Sequence, residues 1–257
     1  MRRFYQESWQ GIPFGSFSHV SFFHLADAKF YAIFYEVLFK RFTSWGDLPA
    51  QWRNGKENAA RWLALQILSQ RHHWEDGGGD NPSVVLSVGS GLGFMEKMLL
   101  DVLPHMELHV NEPSTMGMKW LRECLPPEYI HIGPVPACLP AGVHYNCIYL
   151  STVDYGIPQA EFARMLEDLR GQLADGGRLI CLSASLLEED SCVGRWVNAV
   201  KIGIRAVLHF TGLRRQQFWG WRRTRAEYHE LFAKAGFRNV QDGFLEDGME
   251  TFWISGE

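Results

Sequence analysis

Three glycines directly follow a short apolar run in the segment VVLSVGSGLGF, residues 84–94. Glycine lets a backbone turn sharply and approach a ligand closely. Glu112 ends the next apolar run, 19 positions beyond Gly93. A carboxylate in that place can accept hydrogen bonds from both hydroxyls of a ribose. Gly89, Gly91, Gly93 and Glu112 therefore predict either a site for a ribose-containing cofactor or a tight turn without a ligand.

The glycine spacing argues against a nicotinamide dinucleotide. The fingerprint for those cofactors is G-x-G-x-x-G, in which the third glycine permits close packing of a helix on a strand. Here Gly89 and Gly91 are followed by Phe94 at the third position. An oxidoreductase is therefore disfavoured, although Glu112 alone suits either type of cofactor.

A second polar group, Ser151, Thr152, Asp154 and Tyr155, follows the apolar run NCIYL. Ligands of open α/β sheets bind beyond the carboxyl ends of the strands, so these residues lie at a candidate site. Asp154 and Tyr155 are candidate catalytic residues that would orient or deprotonate a substrate. The competing interpretation is that Asp154 caps the following turn and Tyr155 only packs.

Residues 186–225 form a basic, aromatic segment. VGRWVNAVKIGIRAVLHF predicts a helix with one apolar face, and a cluster of five arginines follows: Arg214, Arg215, Arg222, Arg223 and Arg225. Arg214 and Trp219 are candidate substrate-binding residues, because a guanidinium group suits phosphate or carboxylate. Two further interpretations stay open, namely that residues 193–223 contact an anionic membrane surface or that they form a solvated helix face.

Residues 26–42 predict a helix with a wide apolar stripe. Tyr31 and Tyr35 lie beside that stripe and are further candidate substrate-binding residues, whose hydroxyls would reach over a ligand if the helix acts as a lid. Packing in the core is the alternative for both. Asn54 and Glu57 predict a capping box at the start of a second helix.

Strands and helices that would position these residues alternate from residue 84 onward. VVLSV, MELHVNEP, YIHIGP, NCIYLST and RLICLSAS are predicted strands, and the helices between them include one through MKWLREC. This alternation predicts a parallel sheet with helices on its faces. FRNVQDGF and METFWISG flank a turn at Asp247-Gly248 and must pair antiparallel. The breaker EDGGGDNPS divides a helical layer, residues 1–80, from an α/β core, residues 81–257.

Composition narrows the classes of function. The 257-residue chain has a formal net charge of −4, which argues against general nucleic-acid binding. Its five cysteines form no C-x-x-C pair, which favours a reduced, cytoplasmic protein. No apolar run reaches the roughly 18 residues of a membrane span. His72 and His73 are adjacent and cannot share a metal on one helix face, so no metal is predicted.

Five segments follow one another in a specific order: VVLSVGSGLG, the acid Glu112, VPACLP at 135–140, NCIYLSTVDYGIP and LADGGRLI, before a terminal hairpin. In this order the region from 84 to 255 resembles the class I S-adenosylmethionine-dependent methyltransferases. The segments are similar to that family's first motif, ribose-binding acid, adenine-contacting segment, fourth strand with its methyl-facing loop, and fifth strand. Ser87 and Val135 depart from the family, which often has acids at these positions.

The resemblance implies an α/β, Rossmann-like fold with a mostly parallel seven-stranded sheet, a C-terminal antiparallel hairpin and a helical N-terminal layer. It implies S-adenosyl-L-methionine as the cofactor and places insertion 186–225 over the acceptor site. The residues implied to bind the cofactor are Gly89, Ser90, Gly91, Gly93, Glu112, Pro113, Ala137, Cys138, Ser151 and Thr152.

These observations predict a methyltransferase that acts on an oxygen or nitrogen of a small-molecule metabolite, hydrophobic or anionic. The loop at 151–155 is not N-P-P-[YF], so it does not resemble the amino-methylating enzymes of DNA bases and protein glutamine. The alternative is a non-catalytic methyltransferase-like binding or scaffold protein.

Overall fold

A seven-stranded sheet forms the centre of the protein in the computed structural model, which describes residues 2–13, 28–74, 83–187, 192–213, 217–246 and 251–257. The strands are β1 (Arg2–Gln6), β2 (Ser8–Trp9), β3 (Ile12–Pro13), β4 (Val84–Val88), β5 (Glu107–Glu112), β6 (Ile130–Ile132), β7 (Tyr145–Ser151), β8 (Leu173–Ser183), β9 (Gln217–Arg222), β10 (Gln241–Phe244) and β11 (Phe252–Gly256). The helices are α1 (Ala28–Arg41), α2 (Ala50–Trp74), α3 (Phe94–Val102), α4 (Gln159–Arg170), α5 (Cys192–Phe210) and α6 (Arg225–Lys234).

The order of the central strands is β10–β11–β8–β7–β4–β5–β6. Neighbouring strands are parallel, except that β11 runs antiparallel to both β8 and β10. This confirms the predicted fold class. The chain proceeds from β4 to β6 on one side and then returns to β7 on the other side of β4. A crevice for a ligand forms at such a switch in direction, at the carboxyl ends of the strands.

Side chains on the two faces of the sheet enter two different cores, because successive residues of a strand point to opposite sides. In β7, Cys147 and Tyr149 pack with α2 and α3, whereas Ile148 and Leu150 pack with α4 and α6. The sheet is thereby covered on both faces, which explains the near-continuous apolar sequence of its parallel strands.

A third apolar cluster joins the N-terminal segment to the carboxyl edge of the sheet. It contains Phe34 and Leu38 of α1, Leu92 of the glycine turn, Trp219 of β9, and Trp120, which follows β5. In addition, β1 pairs antiparallel with β9 in a two-stranded ribbon that the sequence did not predict. The division at residue 80 stays a prediction, and the ribbon shows that the N-terminal layer and the insertion are directly paired.

Two predicted helices differ from the structure. Helix α2 begins at Ala50 rather than after a cap at Asn54, because the Arg53 amide already donates to the Pro49 carbonyl at 3.0 Å. The segment MKWLREC forms two short 3₁₀ turns instead of a helix. There Gly117 fits closely against the glycine turn, where an added Cβ would lie 3.0 Å from Gly91 O.

Two other sequence expectations lie outside the described residues: the breaker at 75–83, apart from its last residue, and the turn at Asp247-Gly248. Among the helices that are described, none combines the length and the apolar content needed to cross a bilayer.

Gly220→Ala tests how β9 fits against the loop after β7. An added Cβ would lie 2.1 Å from the Tyr155 carbonyl oxygen, and Gly220 has φ +135°. Overpacking and backbone strain together should lower the free energy of unfolding by about 3 kcal/mol. Gly212→Ala is the control, since its φ is +73° but nothing lies within 4 Å. Urea unfolding of both variants measures these changes. Equal losses of unfolding free energy in the two variants would contradict this packing.

Candidate active site

The glycine turn after β4 wraps over the carboxyl end of β5. The amides of Gly89 and Ser90 both donate to the Asn111 carbonyl, at 2.8 and 3.2 Å, and the Gly93 amide donates back to Ser90 O at 3.1 Å. All three glycines have positive φ, between +60° and +72°. These left-handed conformations disfavour residues with a Cβ, which accounts for the run of glycines.

The three glycines meet different surroundings. At Gly89 an added Cβ would lie 2.6 Å from the Val153 side chain, and at Gly93 it would lie 2.2 Å from the Leu121 side chain. At Gly91 the nearest atom would be the Tyr35 hydroxyl oxygen, 3.8 Å away. Packing within the protein thus explains Gly89 and Gly93, while Gly91 faces the space between the turn and α1.

Glu112 points into the glycine turn. One carboxylate oxygen accepts from the Gly91 amide at 2.9 Å and the other accepts from the Ser114 amide at 3.1 Å. The residue is 6% exposed, and burial raises the pKa of Glu112 to about 7, opposed by the two amide hydrogen bonds. A carboxylate has about four acceptor positions, so two remain for further donors.

The space beside Glu112 has features that fit a polar ligand. Ser90 Oγ is buried and has no hydrogen-bond partner within the described part of the chain. Gly117, by contrast, is explained by packing within the protein, since an added Cβ there would approach Gly91 O, the Tyr35 ring and Glu112 Cγ within 3.4 Å. Buried hydroxyls are normally satisfied, and an unsatisfied one on the glycine turn indicates a place where a ligand would bond.

The predicted adenine-contacting residues lie beside the end of β5. The Asn111 amide group donates to the Gly133 carbonyl at 2.9 Å and contacts Cys138 Sγ at 3.2 Å. Ala137 and Pro113 are exposed, and Cys138 is half-buried. The structure therefore brings these residues to the same edge as Glu112, and their contact with a cofactor stays a prediction.

Lys56 of α2 reaches the end of β7 and was missed by the sequence analysis. Its ammonium group donates to Ser151 Oγ at 2.8 Å and to Thr152 Oγ1 at 3.0 Å. Burial lowers the pKa of Lys56 to about 8, and the charge of Glu96 partly opposes this. A half-buried lysine thus places its cation next to two predicted cofactor-binding residues, 95 positions away in the sequence from the first of them.

Thr152 has an unusual backbone, with φ +59°. The left-handed region is a genuine outlier for a β-branched residue. It is held by an amide hydrogen bond to Leu182 O at 2.7 Å and a hydroxyl hydrogen bond to Ser151 O at 2.6 Å. Strain of this kind concentrates at ligand sites, where surrounding contacts fix the conformation.

Glu96 lies beneath the glycine turn, buried from solvent. One of its oxygens accepts from Ser87 Oγ at 2.6 Å and from the Tyr149 hydroxyl at 2.8 Å. Burial raises the pKa of Glu96, opposed by these hydrogen bonds and by the charge of Lys56. Its other oxygen has no partner among the described residues. Glu96 thus supplies an acid beside Ser87, where the family often has one on the strand.

Asp154 is fully buried under the loop after β7. Its carboxylate accepts from Ser183 Oγ at 2.8 Å and from the Tyr228 hydroxyl, and its backbone carbonyl accepts from Arg223 at 2.7 Å. Burial raises the pKa of Asp154, opposed by these side-chain hydrogen bonds and by the Arg223 charge. These contacts fasten the loop to β8 and α6, and a catalytic role for Asp154 stays a prediction.

Tyr155 faces an aromatic wall. Its ring stacks on Trp219 with a centroid separation of 6.1 Å, and Trp219 lies 6.0 Å from Phe34 of α1. Phe4 meets Tyr155 edge-on at 5.9 Å. The structure therefore brings Tyr155, Trp219 and the helix that contains Tyr35 together on one side of the glycine turn.

Solved structures with a similar arrangement define the fold. A Nostoc punctiforme protein assigned as an O-methyltransferase matches with a TM-score of 0.59 at 16% identity, over 93% of this chain and 63% of that one. The mitomycin 7-O-methyltransferase MmcR matches with a TM-score of 0.55 at 14% identity, over 90% and 58%. The chain has the class I methyltransferase fold.

A third methyltransferase structure, that of the S-adenosylmethionine-dependent enzyme SibL, matches with a TM-score of 0.51 at 15% identity, over 73% of this chain and 56% of that one. The chain spans 56–63% of the length of these three proteins and about half the length of two others, 50% and 53%. No family model matches the sequence, and neither does a curated protein.

Within this methyltransferase fold, the predicted arginine cluster does not form one surface. Arg223 is fully buried, and Arg225 pairs with Asp242 on β10. Arg222 is exposed and lies over a ring of β1. The predicted cluster is wrong for Arg223 and Arg225, because buried carbonyl groups and a local carboxylate take their guanidinium groups. Arg214 and the side chain of Tyr31 lie outside the described residues.

Glu112→Gln tests the buried carboxylate. Because the pKa of Glu112 is raised from 4.5 to about 7, the folded protein binds more protons than the unfolded chain between those pH values. The free energy of unfolding should therefore fall as pH rises through this window, by up to about 1.4 kcal/mol per pH unit from this group.

The variant lacks that contribution, so the difference between wild type and variant should itself change with pH. Urea unfolding across a pH series measures it. A difference that is constant through the window would contradict the burial of a titrating carboxyl at this position.

Proposed function

We propose that the protein is an S-adenosyl-L-methionine-dependent methyltransferase that transfers a methyl group to an oxygen or nitrogen of a small-molecule metabolite. The main support is the contact between the Gly91 amide and the Glu112 carboxylate at the switch point of the sheet, beside an unsatisfied Ser90 hydroxyl. The fold shared with the O-methyltransferase MmcR supports the same reaction class.

The residues around the glycine turn fit the parts of this cofactor. Glu112 would accept from the ribose hydroxyls with its two remaining acceptor positions, and Ala137 and Cys138 would contact the adenine. Gly91 would let the backbone come close to the amino-acid tail. Lys56 would pair with the carboxylate of that tail from the end of β7, where Ser151 and Thr152 already hold its ammonium group.

When bound, the cofactor supplies an electrophilic methyl group on a sulfonium whose leaving group is a neutral thioether. The protein's task is then to align the acceptor and exclude water, which can supply on the order of 7–11 kcal/mol in the best cases. The aromatic wall of Tyr155, Trp219 and Phe34 would exclude water, and Tyr155 would orient the acceptor through its hydroxyl. Asp154 would act as a positioning residue, since its carboxylate is fully buried.

One observation favours the alternative of a non-catalytic binding or scaffold protein. Glu112 is only 6% exposed, and Tyr35 lies over Gly91 and Gly117. Cofactor binding as proposed therefore requires α1 to shift, whereas a scaffold protein keeps the site closed.

Titration calorimetry with S-adenosylhomocysteine separates the two. The enzyme proposal predicts saturable one-to-one binding that Glu112→Gln weakens and that a nicotinamide dinucleotide does not reproduce. Absence of binding by the folded wild-type protein would leave the scaffold interpretation.

Gly91→Ala should weaken S-adenosylhomocysteine binding by at least about tenfold, the effect of 1.4 kcal/mol. The reason is that the new methyl group enters the space proposed for the amino-acid tail. Gly142→Ala is the matched control, because Gly142 also has positive φ, +79°, but lies in an exposed loop with nothing within 4 Å. Both variants bear a similar backbone cost, about 1–2 kcal/mol. Equal binding by the two, measured by calorimetry, would remove Gly91 from the site.

Lys56→Met should weaken S-adenosylhomocysteine binding roughly 10- to 100-fold, as expected for loss of a hydrogen bond to a charged group. Binding of 5′-methylthioadenosine, which lacks the amino-acid tail, should change little. Lys56→Arg should restore part of the difference. If Lys56→Met weakens the binding of both ligands equally, Lys56 only supports the fold of the site.

A further inference from the structure

Helix α5 exposes a continuous apolar face to solvent. Four of its large side chains are more than half exposed: Trp196 (72%), Ile204 (55%), Val207 (62%) and Phe210 (70%). Val197 and Val200, at 40% and 41%, lie between them. We call these six residues the α5 apolar face. Residues 196, 200, 204 and 207 recur at helical spacing, so the face is one stripe, about 21 Å long at 1.5 Å per residue.

The orientation of α5 is fixed by its other side. Ile202 and Ala206 pack against Tyr5 and Phe218 of the β1–β9 ribbon. In a helix with 100° between residues, these two positions lie opposite the exposed stripe. The α5 apolar face therefore points away from the ribbon on which α5 packs. It is a contiguous patch, unlike the single scattered apolar residues that are normal on a protein surface.

The segment of sequence that contains this face is basic. The segment from 191 to 226 contains no Asp or Glu but eight Arg and Lys. Two of these eight do not border the face, because Arg223 is fully buried and Arg225 pairs with Asp242. Lys201 lies exposed on α5 itself, and Arg205 is half-buried on the same helix. A partner for this face must be apolar at its centre and anionic around it.

We propose that the α5 apolar face binds the surface of an anionic lipid bilayer, with α5 lying in the plane of the interface. A basic helix with a Trp- and Phe-bearing apolar face has the composition of such interfacial helices. Phosphate headgroups would neutralise the bordering cations. A second copy of the chain fits less well, because a two-fold contact brings the same cations of both copies together.

Flotation with vesicles tests this. The wild-type protein should bind vesicles of equal parts phosphatidylcholine and phosphatidylglycerol, and much less those of phosphatidylcholine alone. A combined Trp196→Ser, Val207→Ser and Phe210→Ser variant should lose this binding. Lys201→Gln should weaken it about fivefold, the effect of one cation near an anionic surface. Leu65→Ser is the matched control: Leu65 is 64% exposed on α2, so its replacement should leave binding unchanged.

Three outcomes would overturn the proposal: no binding to the anionic vesicles, equal binding by the triple variant, or a wild-type dimer in sedimentation equilibrium that the triple variant converts to monomer without any vesicle binding. The last result would assign the face to a second copy of the chain.

Circular dichroism checks that each variant is folded. S-adenosylhomocysteine binding is measured in parallel, and the triple variant should keep the wild-type value, so the lipid proposal and the proposed function fail separately.

Discussion

The hydrogen bond from the Gly91 amide to the Glu112 carboxylate joins the carboxyl ends of two neighbouring parallel strands, and the rest of the site is arranged around it. It requires a left-handed residue at 91, a glycine at 117 and a carboxylate that is almost completely removed from water. Gly117 in the first 3₁₀ turn after β5, Tyr35 and the glycine turn all lie close to this contact. A turn that served only to connect β4 to α3 would not need the buried acid.

Four ionisable groups with shifted pKa values lie at this edge of the sheet. Lys56, Glu96, Glu112 and Asp154 are all perturbed by desolvation. Burying a charge is costly unless hydrogen bonds and opposite charges compensate it. Glu96 and Asp154 each accept from neighbouring hydroxyls with one oxygen, and each keeps its other oxygen without a partner among the described residues. Perturbed groups gather where a protein binds or reacts, which supports a ligand site rather than a purely structural edge.

The sequence predicted those features that local chemistry determines. Gly91 and Glu112 follow apolar runs whose order along the chain defines a parallel sheet, so their approach was predictable. Lys56 was not, since the packing of α2 on the sheet places it at a strand end 95 residues away. Arg223 was predicted to belong to a charged cluster, because residue composition alone does not show whether a side chain is buried. The β1–β9 ribbon was missed because RRFYQ has no strand-like alternation, and because its partner strand lies in the segment interpreted as an arginine cluster.

A crystal structure of the protein with S-adenosylhomocysteine tests the central claim most directly. The account predicts that the ribose hydroxyls donate to the Glu112 carboxylate, that the amino-acid tail lies along Gly91 with its carboxylate on Lys56, and that Tyr35 has moved with α1. A ligand bound elsewhere, or a ribose that makes no contact with Glu112, would contradict it.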